Sequence, residues 1–196
     1  MYFKLTVFEV SSKTVFYCSK LNTKMKNTEL LIYMLKDIRE VTIQGVKGLT
    51  KEQFFSEPLP GEFPIGAYLM HLGECDIGWY ESLSGNKIPD ELKKRCYYSA
   101  WFDVPAEDFN PPKSPIEPSE YIAAITEVRE IVLDYISKMA DEDLENTIKR
   151  KRSATVEVDI SKKWIIYHLI EHEAHTRGQM FMLIRMAGFK KKGENN

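Results

Sequence analysis

The stretch SKKWIIYHLIEHEAHTRGQMFMLIRMAG, residues 161–188, reads as one long helix that carries three histidines. Ser161 suits an N-cap, because its hydroxyl can accept an N–H that the first helical turn leaves unpaired. Gly188 suits a stop, because it enters left-handed backbone without a Cβ penalty. Between them, His168, His172, His175, Gln179, Met182 and Met186 follow at steps of four, three, four, three and four, which is one stripe of a helix. Ile165, Leu169, His172, Thr176 and Leu183 make the adjoining stripe. His172 belongs to both, so this pattern predicts imidazoles pointing into a bundle core.

Three more helical patterns precede this one. From about Asn27 to Val46, Leu30, Leu31, Met34, Leu35, Ile38 and Val41 recur at spacings of three and four. From about Pro64 to Leu83, one face carries Ile65, Tyr68, Leu69, Leu72, Asp76, Trp79 and Leu83, and Gly85 suits its end. From about Ser119 to Met139, Tyr121, Ile125, Val128, Val132, Tyr135 and Met139 alternate steps of four and three, a bundle-type seam. The connection between residues 85 and 117 holds Pro89, Pro105, Pro111, Pro112 and Pro115, so it reads as a long loop with a short helical turn near Glu91–Arg95. A helix of 20 residues is about 30 Å long, and such a loop crosses that distance easily. The second and third long helices can therefore run parallel. That predicts an all-α four-helix bundle with a long crossover rather than a simple up-down-up-down one. Alternation at Thr155–Asp159 predicts a small hairpin before the last helix.

Residues 1–24 differ in character and read as an N-terminal extension, either a short β-hairpin around Ser11–Ser12 or an ill-ordered segment. Residues 25–189 are the bundle, and residues 190–196 are a Lys-rich polar tail. With 27 basic and 29 acidic residues the net charge is −2, which argues against a nucleic-acid partner. Cys18, Cys75 and Cys96 share no metal or redox spacing and read as reduced thiols. No signal peptide and no membrane span is evident, so the expected location is the cytoplasm, with no membrane partner.

Three imidazoles on one inward face need partners, since a buried unpaired ring nitrogen costs about 1–3 kcal/mol. Hydrogen bonds to Glu171, Glu173, tyrosines or buried water would serve. A divalent metal would satisfy several nitrogens at once, and three histidines within eight residues favour it. His71, the one other histidine, falls in the second long helix and is the natural donor from a second element. Such a site would keep positions open for water or substrate, as catalytic sites do. Cys75, one turn after His71, reads as a packing thiol. The segment HEAHT fails the zincin motif, because Thr176 stands where the second histidine belongs. HLIEH from His168 matches the inverted zinc-protease motif, but no downstream acidic ligand follows in a helix. The chain has no Glu-x-x-His, which sets aside a di-iron bundle. The run Lys149–Arg152 is the local basic patch. It reads as a solvated turn, with a contact to phosphate or to a thiol cofactor's carboxylate as the alternative.

The pairing of FPIGAYLMHLGECDIGWYESLSG, residues 63–85, with WIIYHLIEHEAHTRGQMFMLIRMAG resembles the DinB family, the DinB/YfiT-like metalloenzymes. The resemblance covers about residues 27 to 189. It implies a four-helix bundle in up-down-down-up order. It also implies a divalent-metal protein whose first ligand is His71 and second His172. The family's third histidine would fall at Thr176, followed by Arg177, Gly178 and Gln179, which match. His175 is then the expected third ligand, the alternatives being a weak two-histidine site and a pairing of His168 with His172. Some relatives are implied to be S-transferases using a low-molecular-weight thiol such as bacillithiol, mycothiol or glutathione. A metal lowers a thiol's pKa and so fits that chemistry. The expected activity is a metal-dependent hydrolase or transferase, most specifically thiol transfer to a small electrophile, with Zn, Ni or a similar ion. The alternative is a metal-free bundle that binds a small ligand or a partner. A homodimer is the candidate assembly, with Trp101, Phe102 and Phe109 of the long loop as a candidate contact or as caps on the core.

Overall fold

The computed structural model describes residues 25–151 and 155–189. In chain order the elements are α1 (Asn27–Val46), α2 (Lys51–Phe55), α3 (Ile65–Ser84), α4 (Asp90–Arg95), α5 (Pro118–Ser137), a 3-10 turn (Asp141–Glu145), β1 (Thr147–Lys151), β2 (Glu157–Ser161) and α6 (Lys162–Met186). The four long helices stand within one or two residues of their predicted bounds. The N-terminal extension and the polar tail lie outside the described residues.

The ends are set by the expected chemistry. The Ser161 hydroxyl accepts the Trp164 N–H, and Gly85 closes α3 in left-handed backbone at φ 73°. Asp141 reaches across the chain to accept the N–H groups of Asn27 (2.8 Å) and Thr28 (3.0 Å), a cap that α1 does not supply itself. α2 begins with a capping box at Thr50 and Gln53.

Contacts between helices give the topology. Gly66 lies against the Tyr121 ring near the starts of α3 and α5, and Tyr135 Oη donates to Leu83 O near their ends. Those two helices are therefore parallel. His71 meets His172 and Trp79 meets Trp164, so α3 and α6 are antiparallel. Arg39 meets Glu173 and Gly45 meets Phe181, so α1 and α6 are parallel. Leu35 and Arg39 of α1 meet Arg129 and Ile125 of α5, which are antiparallel. The order is up-down-down-up, with the crossover of residues 85–117 carrying the chain back along the bundle. That crossover is not a passive loop. Ile88, Leu92, Cys96 and Trp101 are buried, and Trp101 caps the core beside Tyr121. Phe109 is 48% exposed.

At the centre each long helix contributes one charged side chain. Arg39 Nη2 donates to Asp76 Oδ2 at 3.0 Å, and its Nε donates to Glu173 Oε1 at 3.0 Å. Arg129 grips Asp76 through Nε and Nη2, both at 2.8 Å, and reaches Glu173 Oε2 at 2.9 Å. The remaining guanidinium donors end on Ile125 O and Leu35 O. All four side chains are at most 5% exposed. Two cations and two anions leave the cluster neutral, and its donors and acceptors are paired, which is the condition for keeping ions inside a protein.

This cluster rotates two helices away from the expected faces. On α1, Leu35 and Ile38 are buried as predicted, but Leu30, Met34 and Val41 are 45%, 39% and 44% exposed. Arg39 and Thr42 turn inward instead. On α6 the inward face is Ile165, Ile166, Leu169, Glu173, Thr176, Met180, Leu183 and Ile184. The histidine stripe therefore lies at the edge of the core rather than in its middle, and Met182 and Met186 face outward. Drawing Glu173 to the arginines is the physical reason.

The hairpin before α6 forms as expected, with Ile148 opposite Ile160 and Arg150 opposite Val158. Opposed residues share a face, so Ile148, Arg150, Val158 and Ile160 are on the side that packs toward α6. The basic run expected as a turn is thus largely strand.

Candidate metal centre

His71 on α3 and His172 on α6 face each other across an antiparallel helix pair. Their Nε2 atoms are 3.1 Å apart. His71 Nδ1 lies 3.2 Å from Glu74 Oε2, one turn along the same helix. A carboxylate can only accept, so Nδ1 carries the proton in the neutral ring and Nε2 presents its lone pair toward His172. Glu74 is itself held, because its other oxygen accepts the Ser99 N–H at 2.7 Å. Ser99 sits in the crossover between Tyr97 and Asp103, and all three have left-handed backbone, with φ 51°, 51° and 55°. Such conformations cost free energy for residues with a Cβ and persist where surrounding contacts hold them. Here they aim an N–H at Glu74 and set Phe102 on the His71 ring, with centroids 4.3 Å apart.

His172 is half-buried. Burial first, and then the neighbouring rings of His71 and His168, push its pKa down to about 4, so the ring is neutral at neutral pH with a nitrogen free to ligate. His168 stacks on Trp164 at 4.9 Å, meets Trp79 edge-on at 5.2 Å, and lies 5.8 Å from His172. The rings thus form a continuous row along the α3–α6 groove, from Trp164 through His168, His172 and His71 to Phe102. His175 is not brought to this row, since its side chain is exposed on α6. Thr176, at the position of the family's third histidine, is 3% exposed and points to the core. Cys75 is not a thiolate candidate, because burial drives its pKa well up, and Cys96 is pushed up to about 12 by the same cause.

Two nitrogens bound to one zinc ion at tetrahedral angles lie about 3.3 Å apart, close to the separation of these two Nε2 atoms. The carboxylate on His71 Nδ1 is the usual outer brace of a ligating histidine. Among the described residues no cluster of three or more His, Cys, Asp or Glu side chains could surround an ion. The donor set therefore fits an open two-imidazole site and does not fit a closed structural one. Of the residues expected from sequence, the structure brings His71 and His172 together and leaves His175 apart. Sequence reasoning missed Glu74, which its spacing of three from His71 could have signalled, and it missed Ser99 and the His71–Phe102 stack, whose place depends on how the crossover folds.

A family model described as the DinB superfamily matches residues 34–180. Among solved structures, a DinB-like protein from Bacillus cereus is 20% identical, with a TM-score of 0.57, over 84% of this chain and 95% of that one. A conserved protein from Enterococcus faecalis is 16% identical, with a TM-score of 0.63, over 84% and 98%. YfiT from Bacillus subtilis, described as "a probable metal-dependent hydrolase with an unusual four-helix bundle topology", is 14% identical, with a TM-score of 0.57, over 87% and 94%. At these identities the likeness establishes the fold. No curated protein matches the sequence significantly.

Proposed function

Since the chain belongs to the DinB superfamily, we propose that it is a divalent-metal-dependent enzyme whose ion is held by His71 and His172. The observation that carries this reading is the pair of Nε2 atoms 3.1 Å apart, one of them braced by Glu74. The description of YfiT as a probable metal-dependent hydrolase supports it. Of the three ligands expected from sequence, His71 and His172 are the fixed pair, and the place assigned to His175 is left to solvent or substrate.

The ion would supply Lewis acidity, lowering the pKa of a bound thiol or water. The chain's own residues do the rest. Glu74 keeps His71 in the tautomer with a free Nε2. Phe102 and the crossover cover one side of the pair and limit access of water. The low pKa of His172 keeps it from competing for protons at neutral pH. The more specific reading is transfer of a low-molecular-weight thiol to a small electrophile. A thiol bound to such an ion would be a thiolate nucleophile at neutral pH, and the open positions of a two-imidazole site leave room for it. Hydrolysis, with water in place of the thiol as nucleophile, is the second reading, and the description of YfiT favours it.

The test is metal content of untagged protein by elemental analysis, followed by a thiol-conjugation assay. About one ion per chain is expected, lost in His172→Ala. Full occupancy in that variant would overturn the site, and conjugation that persists after chelation would overturn metal-dependent thiol transfer.

A further inference from the structure

The hairpin and the first turn of α6 line an open cleft of about 460 Å³, walled by Arg150, Lys151, Val158, Ile160 and Trp164. Its size is that of a small-molecule site. Its lining carries, among the described residues, two cations and no carboxylate. Among the described residues, Lys149 pairs with Glu157 at 3.5 Å, and Lys163 pairs with Glu145. Neither Arg150 nor Lys151 takes part in such a pair.

Arg150 is the unusual member. By strand register it shares a hairpin face with Ile148, Val158 and Ile160, and it is solvent-exposed there. Its guanidinium carbon sits over the Trp79 ring, 3.8 Å from the centroid. Stacking holds the plane of the guanidinium and leaves its N–H groups at the rim free to donate. A planar fork of donors held in one orientation is the geometry that recognises a carboxylate through two parallel hydrogen bonds.

The cavity also joins the histidine row. Trp79, beneath Arg150, touches His168 at 5.2 Å, and Trp164 in the cavity wall stacks on the same ring. Trp164 and His172 are eight residues apart on α6, which is about 12 Å along the helix. That is the span of a tripeptide-sized molecule.

We propose that this cavity is a carboxylate-binding subsite that holds the acidic end of the elongated small molecule reacting at the His71–His172 pair. Arg150 supplies the fork, Lys151 adds charge, and Trp164 gives a flat wall to the body of the ligand. The link to reaction rests on the metal-site reading above, whereas the anion site itself does not.

The probe is S-methylglutathione, which carries two carboxylates but has no free thiol to bind a metal. Its diethyl ester, which keeps the ammonium but has no carboxylate, is the comparator, and inorganic phosphate is the competitor. Trp79 and Trp164 report binding through their fluorescence in the full chain. Saturable binding is expected, at least tenfold weaker for the ester and for Arg150→Gln, and unchanged for Lys149→Gln, which does not line the cavity. Displacement by phosphate only at much higher concentration identifies a carboxylate site, while phosphate binding more tightly than the peptide would overturn that assignment. Equal binding of the ester, equal binding by Arg150→Gln, or no saturable signal would overturn the subsite. Arg150→Gln should retain its metal. His172→Ala should lose metal yet keep probe binding, so the two readings fail separately.

Discussion

Replacing Arg129 by Met should be among the most damaging single changes to the folded chain. Arg129 makes two bonds to Asp76, one to Glu173 and one to Leu35 O, all in a site closed to solvent. Methionine fills most of the volume but supplies none of these donors. Asp76 then keeps only its bond from Arg39, and the cluster holds one cation against two anions. Removing one partner of a buried ionic group costs about 3–5 kcal/mol, chiefly for the charge left behind. For a chain of this size each kcal/mol lowers Tm by about 2–4 °C, so the fall should be roughly 6–20 °C. Circular dichroism at 222 nm, with urea titration at 25 °C, measures both quantities. The double variant Arg129→Met/Glu173→Gln restores neutrality, because Arg39 and Asp76 remain as a pair. It should therefore be more stable than the two single losses added together, by about 1–3 kcal/mol. A loss below about 1 kcal/mol in the single variant, or strict additivity in the double, would show that the four charges do not act as one neutral group.

Other outcomes follow from the same geometry. His175→Ala should leave metal affinity nearly unchanged while His71→Ala lowers it by more than tenfold, measured by calorimetry with Zn²⁺. Equal losses would return His175 to the ligand set. Burial disfavours ionisation of Glu81, but Lys87, Lys93 and the Ile88 N–H outweigh it and hold the carboxyl at about 2. The unfolded chain takes up that proton near pH 4.5. The stability from Glu81 is thus complete above that pH and is lost as pH falls toward 2. Glu81→Gln should flatten the Tm profile there, and parallel profiles would refute the assignment. Gly66→Ala should destabilise by about 1–3 kcal/mol, because its Cβ would sit 3.0 Å from Phe54 O and from the Tyr121 ring. Gly178→Ala meets nothing within 4 Å and should stabilise by about 0.5–1 kcal/mol. Thermal melts that reverse this order would count against the packing described.

The four long helices were legible because each repeats apolar residues at three and four, and because Ser161, Gly85 and the prolines of the crossover punctuate them. The helix faces were less legible. A hydropathy pattern ranks Leu30, Met34 and Val41 as core and Arg39 as surface. It has no means of knowing that Asp76, Arg129 and Glu173 converge on Arg39 from three other helices. The histidine stripe was visible, and so was the partner in α3. Its depth was misjudged for the same reason, since Glu173 rather than the imidazoles claims the inward position. Arg150 shows a third limit. Within that basic run all residues look alike, and only strand register separates Arg150, which lies on Trp79, from Lys149 and Lys151.

The parallel pairing of α1 with α6 has a consequence for how the chain is made. Arg39 and Glu173 are 134 residues apart in sequence. At about 5–20 residues per second, a ribosome delivers the second roughly 7–27 s after the first. Until then α1, α3 and α5 can offer the centre two arginines and a single carboxylate, an excess of one positive charge. His172 arrives in the same late helix. The nascent chain therefore cannot close its interior, or assemble its histidine pair, by stages from the N-terminal side. Both are completed together in one late docking step, so a ribosome stalled before α6 should hold a chain that trypsin digests readily.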